Sequence, residues 1–246
     1  MWEIWAARDA RGWPGRGAVA GLRARARARS AKFITSTGAR LIGARRARPA
    51  GVTDGAQQVT VFVTPDYLSV GDDADHLTIP IDFLTAAEVA AALGCALPTT
   101  RIVDAVYAAA SVRLSPIPLP AGPEMRSVAY ILQHRTLVDA ERAGEPLTAL
   151  VAGNPKDVVL TGRLRDAPGK EAIYGWRRLD GKPIQPLCLV HGATYADYSH
   201  GIRLLDQTVI VDGVARPYLD ALADPAVAPL LSREGVIADA RALMAP

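Results

Sequence analysis

Three short stretches in the second half of the chain constrain its fold more than any other feature. Each is apolar for most of its length and too short to favour a helix, and the first two are rich in β-branched or aromatic residues: Asp157–Thr161, Glu171–Trp176 and Pro186–Val190. Turn sequences separate them at residues 167–169 and at Asp180-Gly181, and Asp-Gly is a strong hairpin signal. This pattern predicts a mostly antiparallel sheet in the C-terminal half.

The first half carries helix signals. Thr85 and Glu88 have the spacing of a capping box, which predicts a helix that begins there and ends at Gly94. Thr99 is a predicted cap for a second helix, and residues 126–143 predict a third. An apolar stripe supports the second helix; it comprises Ile102, Val103, Val106 and Tyr107. A β-branched run at Val59–Thr64 predicts a strand before them. The predicted class is therefore α+β, with helices first and the sheet after them.

The N-terminal region differs from the rest of the chain in composition. Residues 1–48 contain twelve of the 28 lysines and arginines but only two of the 25 acidic residues. Arginine and alanine alternate over residues 23–29, so a helix there would have no apolar face to bury. We therefore predict that residues 1–50 form a disordered basic leader and that residues 51–246 form a single α+β domain. The proline-rich segment 115–123 is interpreted as a surface connection within that domain.

Composition also limits the partners and the location. Because the positive charge is concentrated in the leader, we do not expect the folded body to bind nucleic acid. No segment is apolar enough to predict a transmembrane helix, and no apolar run follows the N-terminal charges as in a secretory signal. The sequence therefore assigns no location: the protein can be cytoplasmic, or exported if the true start differs. Cys95 and Cys188 are interpreted as buried free thiols.

The residues best suited to chemistry are concentrated in Ile184–Leu205. Two of the four histidines, His191 and His200, lie there nine positions apart, together with Asp197 and Ser199. Imidazole, carboxylate and hydroxyl groups are the ones that move protons and attack carbonyl carbons in hydrolytic sites. We take these four residues as candidate catalytic groups.

A second set of residues has the properties of substrate contacts. Arginine can hold a carboxylate through two parallel hydrogen bonds, and aromatic rings can form a surface for a sugar or a peptide. The candidates are Arg203, Tyr195, Tyr198, Trp176 and Tyr174.

Strand geometry constrains how these groups meet. A regular strand over residues 196–204 would place Asp197, Ser199 and Arg203 on one face and His200 on the other. Contact between Asp197 and His200 would then require a bulge, which Gly201 allows. The segment 192–194 would have to turn for His191 to approach His200, since nine extended residues span about 30 Å.

Three interpretations of the histidine pair stay open at this point. His200 can be a general base oriented by Asp197, with Ser199 or a water molecule as the nucleophile. His191 and His200 can bind zinc together with Asp197 or Asp206, although no metal is assigned from the sequence. In the third interpretation, the histidines and tyrosines are hydrogen-bonded packing groups of the sheet.

Short motifs distributed over residues 57–211 resemble a group of bacterial proteins of unassigned activity. The motifs are Asp66–Leu68, Leu97–Thr99, Lys156–Val159, Ile173–Trp176, Ile184–Leu187 and Asp197–Gly201 followed by Arg203. This resemblance implies a single domain and brings no activity with it.

Two partial resemblances concern enzymes. His191-Gly192 and Ser199–Gly201 followed by Arg203 are similar to the motif of L,D-transpeptidases. The nucleophilic cysteine of that family is missing after Gly201, and the chemistry requires a thiolate. His200 and Asp206 are similar to part of the zinc site of D-Ala-D-Ala peptidases, but the spacing differs and the glutamate is missing.

These features lead to two expectations about function. The first is a hydrolase that cleaves an amide or peptide-like bond in a small molecule or a polymer, with a cell-wall component as one candidate substrate. The alternative is a domain that binds a glycan or a peptide on an aromatic surface without cleaving it.

The leader generates a first prediction. Deletion of residues 1–48 should leave the midpoint of thermal unfolding within about 3 °C of the full chain, because an alternating Arg/Ala segment has no apolar face to contribute to the core. Circular dichroism melts of the two proteins measure this. Loss of the cooperative transition on deletion would contradict it.

Overall fold

The computed structural model describes residues 50–54, 57–71 and 76–245. The predicted leader, apart from Ala50, lies outside the described residues, so its expected disorder stays a prediction. The described chain combines short strands with six α-helices.

The strands are short and spread over the whole described chain. They are β1 (Ala50–Asp54), β2 (Gln57–Val61), β3 (Ser69–Gly71), β4 (His76–Thr78), β5 (Cys95–Ala96), β6 (Val112–Arg113), β7 (Val151–Ala152), β8 (Lys156–Val158), β9 (Ile173–Arg177), β10 (Pro183–Cys188), β11 (His200–Gly201), β12 (Leu205–Asp206), β13 (Thr208–Val211) and β14 (Val214–Pro217).

The helices are concentrated in the first half and at the C-terminus. They are α1 (Phe83–Ala92), α2 (Thr100–Ala109), α3 (Val128–Arg142), α4 (Tyr218–Ala223), α5 (Ala228–Leu231) and α6 (Ala240–Leu243). Two 3₁₀ turns, Pro123–Arg126 and Gly162–Asp166, precede α3 and β9.

Two four-stranded sheets organise the fold. The first has the order β1-β2-β13-β14 with all neighbours antiparallel, so it joins the beginning of the described chain to its C-terminal part. The second has the order β10-β9-β8-β11, in which β8 and β11 are parallel and the other pairs antiparallel. One cluster of buried apolar side chains extends from Ala50 to Met244 and packs both sheets against α1, α2 and α4.

The fold is mixed helix and sheet, as the α+β prediction requires, but the predicted order of elements is wrong. Strands come first, because β1 and β2 precede α1 and β2 pairs with β13. Ile210 of β13 lies opposite Thr60 of β2 in this pairing. Contacts between positions that far apart in the chain leave no local signal, so helix and strand propensities could not reveal them.

The helix starts were predicted with mixed success. Thr99 caps α2 as predicted, since its side chain accepts a hydrogen bond from the Ile102 amide. The predicted capping box at Thr85 is wrong. Asp82 is the cap of α1, and its carboxylate accepts both the amide of Thr85, at 2.9 Å, and the hydroxyl of Thr85, at 3.1 Å. Thr85 therefore lies inside the first turn as a donor.

Within the described residues, no helix is long and apolar enough to cross a membrane.

Gly201 is the point of closest approach between β11 and its surroundings. A Cβ atom at this position would lie 2.5 Å from Pro155 Cγ and 2.8 Å from Tyr67 Cδ1. Both neighbours are buried ring atoms that cannot move aside without disturbing the core. Only glycine fits where β11 passes them.

This close approach predicts that Gly201→Ala destabilises the fold by roughly 1–3 kcal/mol, as overpacking in a core does. Gly51→Ala in β1 is the matched control, because its Cβ would meet only the Gln58 side chain at 3.8 Å. Urea unfolding of both variants measures the difference. Equal midpoints would show that β11 can shift to make room.

Candidate functional site

Backbone pairing brings the candidate residues together. Lys156 of β8 lies opposite His200 of β11, and its amide donates to the Ser199 carbonyl at 2.7 Å. The Glu171 amide donates to the His191 carbonyl at 3.2 Å, just before β9 begins. The turn that follows His191 returns the chain to β11, and as a result the His191 and His200 rings lie 6.3 Å apart, centroid to centroid.

His200 lies between two buried carboxylates. Its Nε2 is 3.0 Å from Glu171 Oε1, and its Nδ1 is 3.2 Å from Asp197 Oδ1. All three side chains are almost completely buried. Glu171 Oε2 is also buried, and none of the described residues forms a hydrogen bond with it. Both ring nitrogens of His200 are therefore engaged inside the protein.

The surrounding carboxylates determine the charge of the His200 ring. Burial by itself lowers the pKa of His200, but the hydrogen bonds and negative charges of Asp197 and Glu171 outweigh it and raise the pKa to about 9. Burial raises the pKa of Asp197, but hydrogen bonds from His200 and Ser199 bring it well below its usual range. His200 is thus an imidazolium at neutral pH. Both of its nitrogens then donate, so the Asp197 amide, 3.2 Å from Nδ1, finds no acceptor there.

Asp197 connects this buried group to a tyrosine. Its Oδ1 accepts hydrogen bonds from the Ser199 hydroxyl at 2.5 Å and from the Ser199 amide at 2.8 Å. Its Oδ2 accepts the phenol proton of Tyr195 at 3.1 Å. Ser199 is completely buried, and its hydroxyl is oriented toward Asp197.

A stacked pair forms the outer layer of the cluster. The rings of His191 and Tyr195 are nearly parallel, with 4.2 Å between centroids and 8° between planes. The Arg126 guanidinium lies 5.2 Å from the centroid of the Tyr195 ring. His191 is half-buried, and this burial lowers its pKa below the usual value, so its imidazole is neutral at pH 7.

Lys156 and Trp176 border the same cluster. The Lys156 ammonium lies 4.7 Å from the centroid of the Trp176 ring, a cation–π contact. Its charge contributes to lowering the pKa values of both Asp197 and His191. Trp176 is half-buried and has a φ of 47°, a conformation that bulky residues rarely adopt. This backbone conformation is maintained by β9 pairing on both sides.

The remaining predicted substrate contacts lie elsewhere. Arg203 is completely buried, with Nη1 donating to the Thr64 carbonyl at 2.6 Å and Nη2 donating to the Val151 carbonyl. The hydroxyl of Tyr174 donates to Asp104 at 2.9 Å. Tyr198 is buried with its hydroxyl bonded to Leu119. The structure therefore brings Tyr195 and Trp176 to the cluster. The four aromatic residues do not form one platform.

Residues 196–204 do not form one regular strand, so the two faces that such a strand would have do not exist here. Only His200 and Gly201 pair as a strand, and residues 197–200 form a turn in which the His200 amide donates to the Asp197 carbonyl at 3.1 Å. The turn is stabilised by the bonds from Ser199 to the Asp197 carboxylate. It brings Asp197 and His200 into contact without a bulge at Gly201.

Three members of the cluster were missed in the sequence. Glu171 had no local signal, because glutamate is almost never fully buried unless it is paired, and its partner His200 lies 29 positions away in the chain. Lys156 and Arg126 precede a strand and a helix far from the histidines in the chain. Nothing local indicated that they would meet Trp176 and Tyr195.

The same geometry bears on metal and thiol chemistry. Among the described residues, no group of three or more histidine, cysteine, aspartate or glutamate side chains is arranged to hold a metal ion. Cys95 and Cys188 are free thiols. Burial raises the pKa of Cys95 to about 12, which disfavours a thiolate. Cys188 is half-buried within β10.

Comparison of the chain with protein families, with curated proteins and with solved structures found no match.

The buried charges generate a prediction about pH. The folded pKa of His200 is raised, so its stabilisation is complete below about pH 6.5 and is lost as the pH rises through about 9. We expect the free energy of unfolding to fall by about 2–3 kcal/mol between pH 7 and pH 9.5. His200→Gln keeps hydrogen-bonding groups but cannot titrate. Urea unfolding should therefore show a flatter pH dependence for this variant, and parallel curves for the two proteins would contradict the assignment.

Proposed function

We propose that this protein is a hydrolase of amide or peptide-like bonds in which His191 is the general base. The observation that carries the proposal is a half-exposed, neutral imidazole stacked on Tyr195 directly outside a buried charged network. A general base must be unprotonated at working pH and reachable by water, and His191 meets both requirements.

His200 and Ser199 have supporting roles in this proposal. A base needs a free nitrogen, and both nitrogens of His200 contact carboxylates in the interior. A serine nucleophile needs a base within hydrogen-bond reach, whereas the Ser199 hydroxyl donates to Asp197. A water molecule is therefore the nucleophile. His200, Asp197 and Ser199 position Tyr195, and Tyr195 positions the His191 ring.

The reaction proceeds in two steps. His191 accepts a proton from water while the water oxygen bonds to the carbonyl carbon, which moves the carbonyl electron pair onto oxygen. The C–N bond then breaks as the oxyanion reforms the carbonyl, and the imidazolium of His191 gives its proton to the departing nitrogen. The products are a carboxylic acid and an amine.

Two cations lie near the place where negative charge develops. Arg126 lies over Tyr195, and Lys156 is close enough to lower the pKa of His191. Positive groups that are fixed before the reaction stabilise an oxyanion without further reorganisation. The Lys156 ammonium is fixed against the Trp176 ring, and the Arg126 guanidinium against the Tyr195 ring.

Binding without cleavage is the second candidate. The stack of His191 on Tyr195, together with half-buried Trp176, offers aromatic surface to a glycan or a peptide. The two candidates differ in one property: hydrolysis needs the basic nitrogen of His191, and stacking needs only its flat ring.

His191 therefore generates the test of function. With N-acetyl-alanine p-nitroanilide and alanine p-nitroanilide as probes, His191→Gln should lower kcat/KM by about 100-fold or more. The wild-type rate should rise with pH through a pKa below 6.5 and level off near neutrality, because only unprotonated His191 is a base. Release of p-nitroaniline, followed by absorbance, measures both.

His76→Gln is the matched control, since it makes the same substitution at another half-buried histidine. Its kcat/KM should equal that of the wild type. Activity that survives in His191→Gln, or no activity in the wild type above that variant, would reject the hydrolase proposal. His191→Phe then separates the candidates, because a stacking surface tolerates phenylalanine and a base does not.

A further inference from the structure

Lys156 is a largely buried cation of the candidate site. It is 8% exposed, and its ammonium lies 4.7 Å from the centroid of the Trp176 ring. Within the described part of the chain, Nζ forms neither a hydrogen bond nor an ion pair with a carboxylate. An ammonium that has lost most of its water without gaining an acceptor is unfavourable. The position of Lys156 therefore favours an anion that comes from outside the protein.

The ammonium of Lys156 can be reached from solvent. Some other side-chain nitrogens without a hydrogen-bond partner, such as Trp176 Nε1 and Arg203 Nε, are completely enclosed by protein. Nζ of Lys156 is not enclosed in this way, so the small exposed fraction of this residue includes its charged end. An anionic group of a ligand can thus contact Nζ directly.

The carboxylates of the buried network do not occupy the ammonium. Asp197 Oδ1 accepts from the Ser199 hydroxyl and lies 3.2 Å from His200 Nδ1. Glu171 Oε1 lies 3.0 Å from His200 Nε2. Lys156 acts on this network only at longer range, where its charge contributes to lowering the pKa of Asp197. The three N–H donors of the ammonium are left for another acceptor.

Lys156 also lies near the imidazole of His191. Its charge contributes to lowering the pKa of His191, while the Arg126 guanidinium lies over the adjacent Tyr195 ring. Arg126 is exposed, whereas the carboxylates that act on the His191 and Tyr195 rings belong to the buried network. The charges of the cluster that solvent reaches on these two side chains are therefore positive, which attracts an anionic substrate.

We infer that Lys156 binds a carboxylate of the substrate, so that the substrate class is an amide that carries a free carboxylate. This inference rests on the proposed hydrolysis at His191. An ammonium can donate three hydrogen bonds, so it can hold a carboxylate oxygen and still face the reacting carbonyl. The Trp176 ring keeps the ammonium in place, because tryptophan is the strongest aromatic partner of a cation.

Three chromogenic amides test the preference for a carboxylate. N-acetyl-alanine p-nitroanilide is neutral, N-succinyl-alanine p-nitroanilide carries a carboxylate on the acyl side, and N-acetylalanyl-5-amino-2-nitrobenzoate carries one on the amine side. At least one of the two anionic amides should have a kcat/KM tenfold or more above that of the neutral amide. The better of the two shows on which side of the scissile bond the carboxylate is held. Equal or lower values for both would overturn the inference.

Two lysine variants locate the preference. Lys156→Met keeps a flexible side chain of similar length but removes the charge, so it should reduce the ratio of kcat/KM between anionic and neutral amides to about one. Lys170→Met is the matched control, because Lys170 is exposed and donates to the Val190 carbonyl at 2.7 Å. It should keep the wild-type ratio. A ratio that survives in Lys156→Met, or that falls equally in both variants, would reject Lys156 as the binding group. Thermal melts establish folding, and Lys156→Gln replaces Lys156→Met if that variant does not fold.

A binding measurement separates this inference from the proposed hydrolysis. Replacing Trp2, Trp5 and Trp13 by phenylalanine in the full chain leaves Trp176 as the single tryptophan, and its emission then reports on the ring that Lys156 contacts. N-acetylalanine should change this emission saturably, and the neutral N-acetylalaninamide should bind at least tenfold more weakly. Saturable binding without any hydrolysis would reject the hydrolase but keep the carboxylate site. Hydrolysis with equal binding of the two probes would reject the carboxylate site alone.

Discussion

The contact on which the candidate site depends is the imidazolium of His200 between Glu171 and Asp197. Three ionisable side chains buried together are stable only if their charges and hydrogen bonds complement one another. Removing the histidine would leave two buried carboxylates without a cation between them, and removing either carboxylate would leave one nitrogen of the imidazolium without its acceptor. The interaction also joins distant parts of the chain, because Glu171 precedes β9 and Asp197 belongs to the turn before β11. Breaking it would disturb the arrangement of the second sheet as well as the site.

The same contact is connected to the protein surface through one hydrogen bond and one pair of stacked rings. Asp197 accepts from Tyr195, Tyr195 stacks on His191, and His191 reaches solvent. Each link fixes the orientation of the next side chain. In the proposed hydrolase, His191 is therefore held in place before substrate binds, and such a preorganised site has little reorganisation to undergo during the reaction. In that proposal the buried charge supports His191 and takes no proton itself.

Local sequence signals predicted individual caps and turns, whereas contacts between distant parts of the chain determine how the strands pair. The cap at Thr99 and the Asp180-Gly181 turn follow from the chemistry of a few neighbouring residues, and both are present in the structure. The pairing of β2 with β13 and the parallel pairing of β8 with β11 depend on residues far apart in the chain. The segment Ile184–Leu205 contained His191 and His200, but the charge of His200 depends also on Glu171, which lies outside that segment. Arg203 was placed with the substrate contacts because arginine can hold a carboxylate through two parallel hydrogen bonds. Here backbone carbonyls of Thr64 and Val151 satisfy it in the core.

His134 and His200 show how partners, more than burial, decide the chemistry of a histidine. Both rings are buried, and in both cases burial favours the neutral form. His200 has a carboxylate at each ring nitrogen and is charged. No described residue forms a hydrogen bond with Nε2 of His134, and that ring is neutral. The positive charge is therefore confined to the position where carboxylates already balance it.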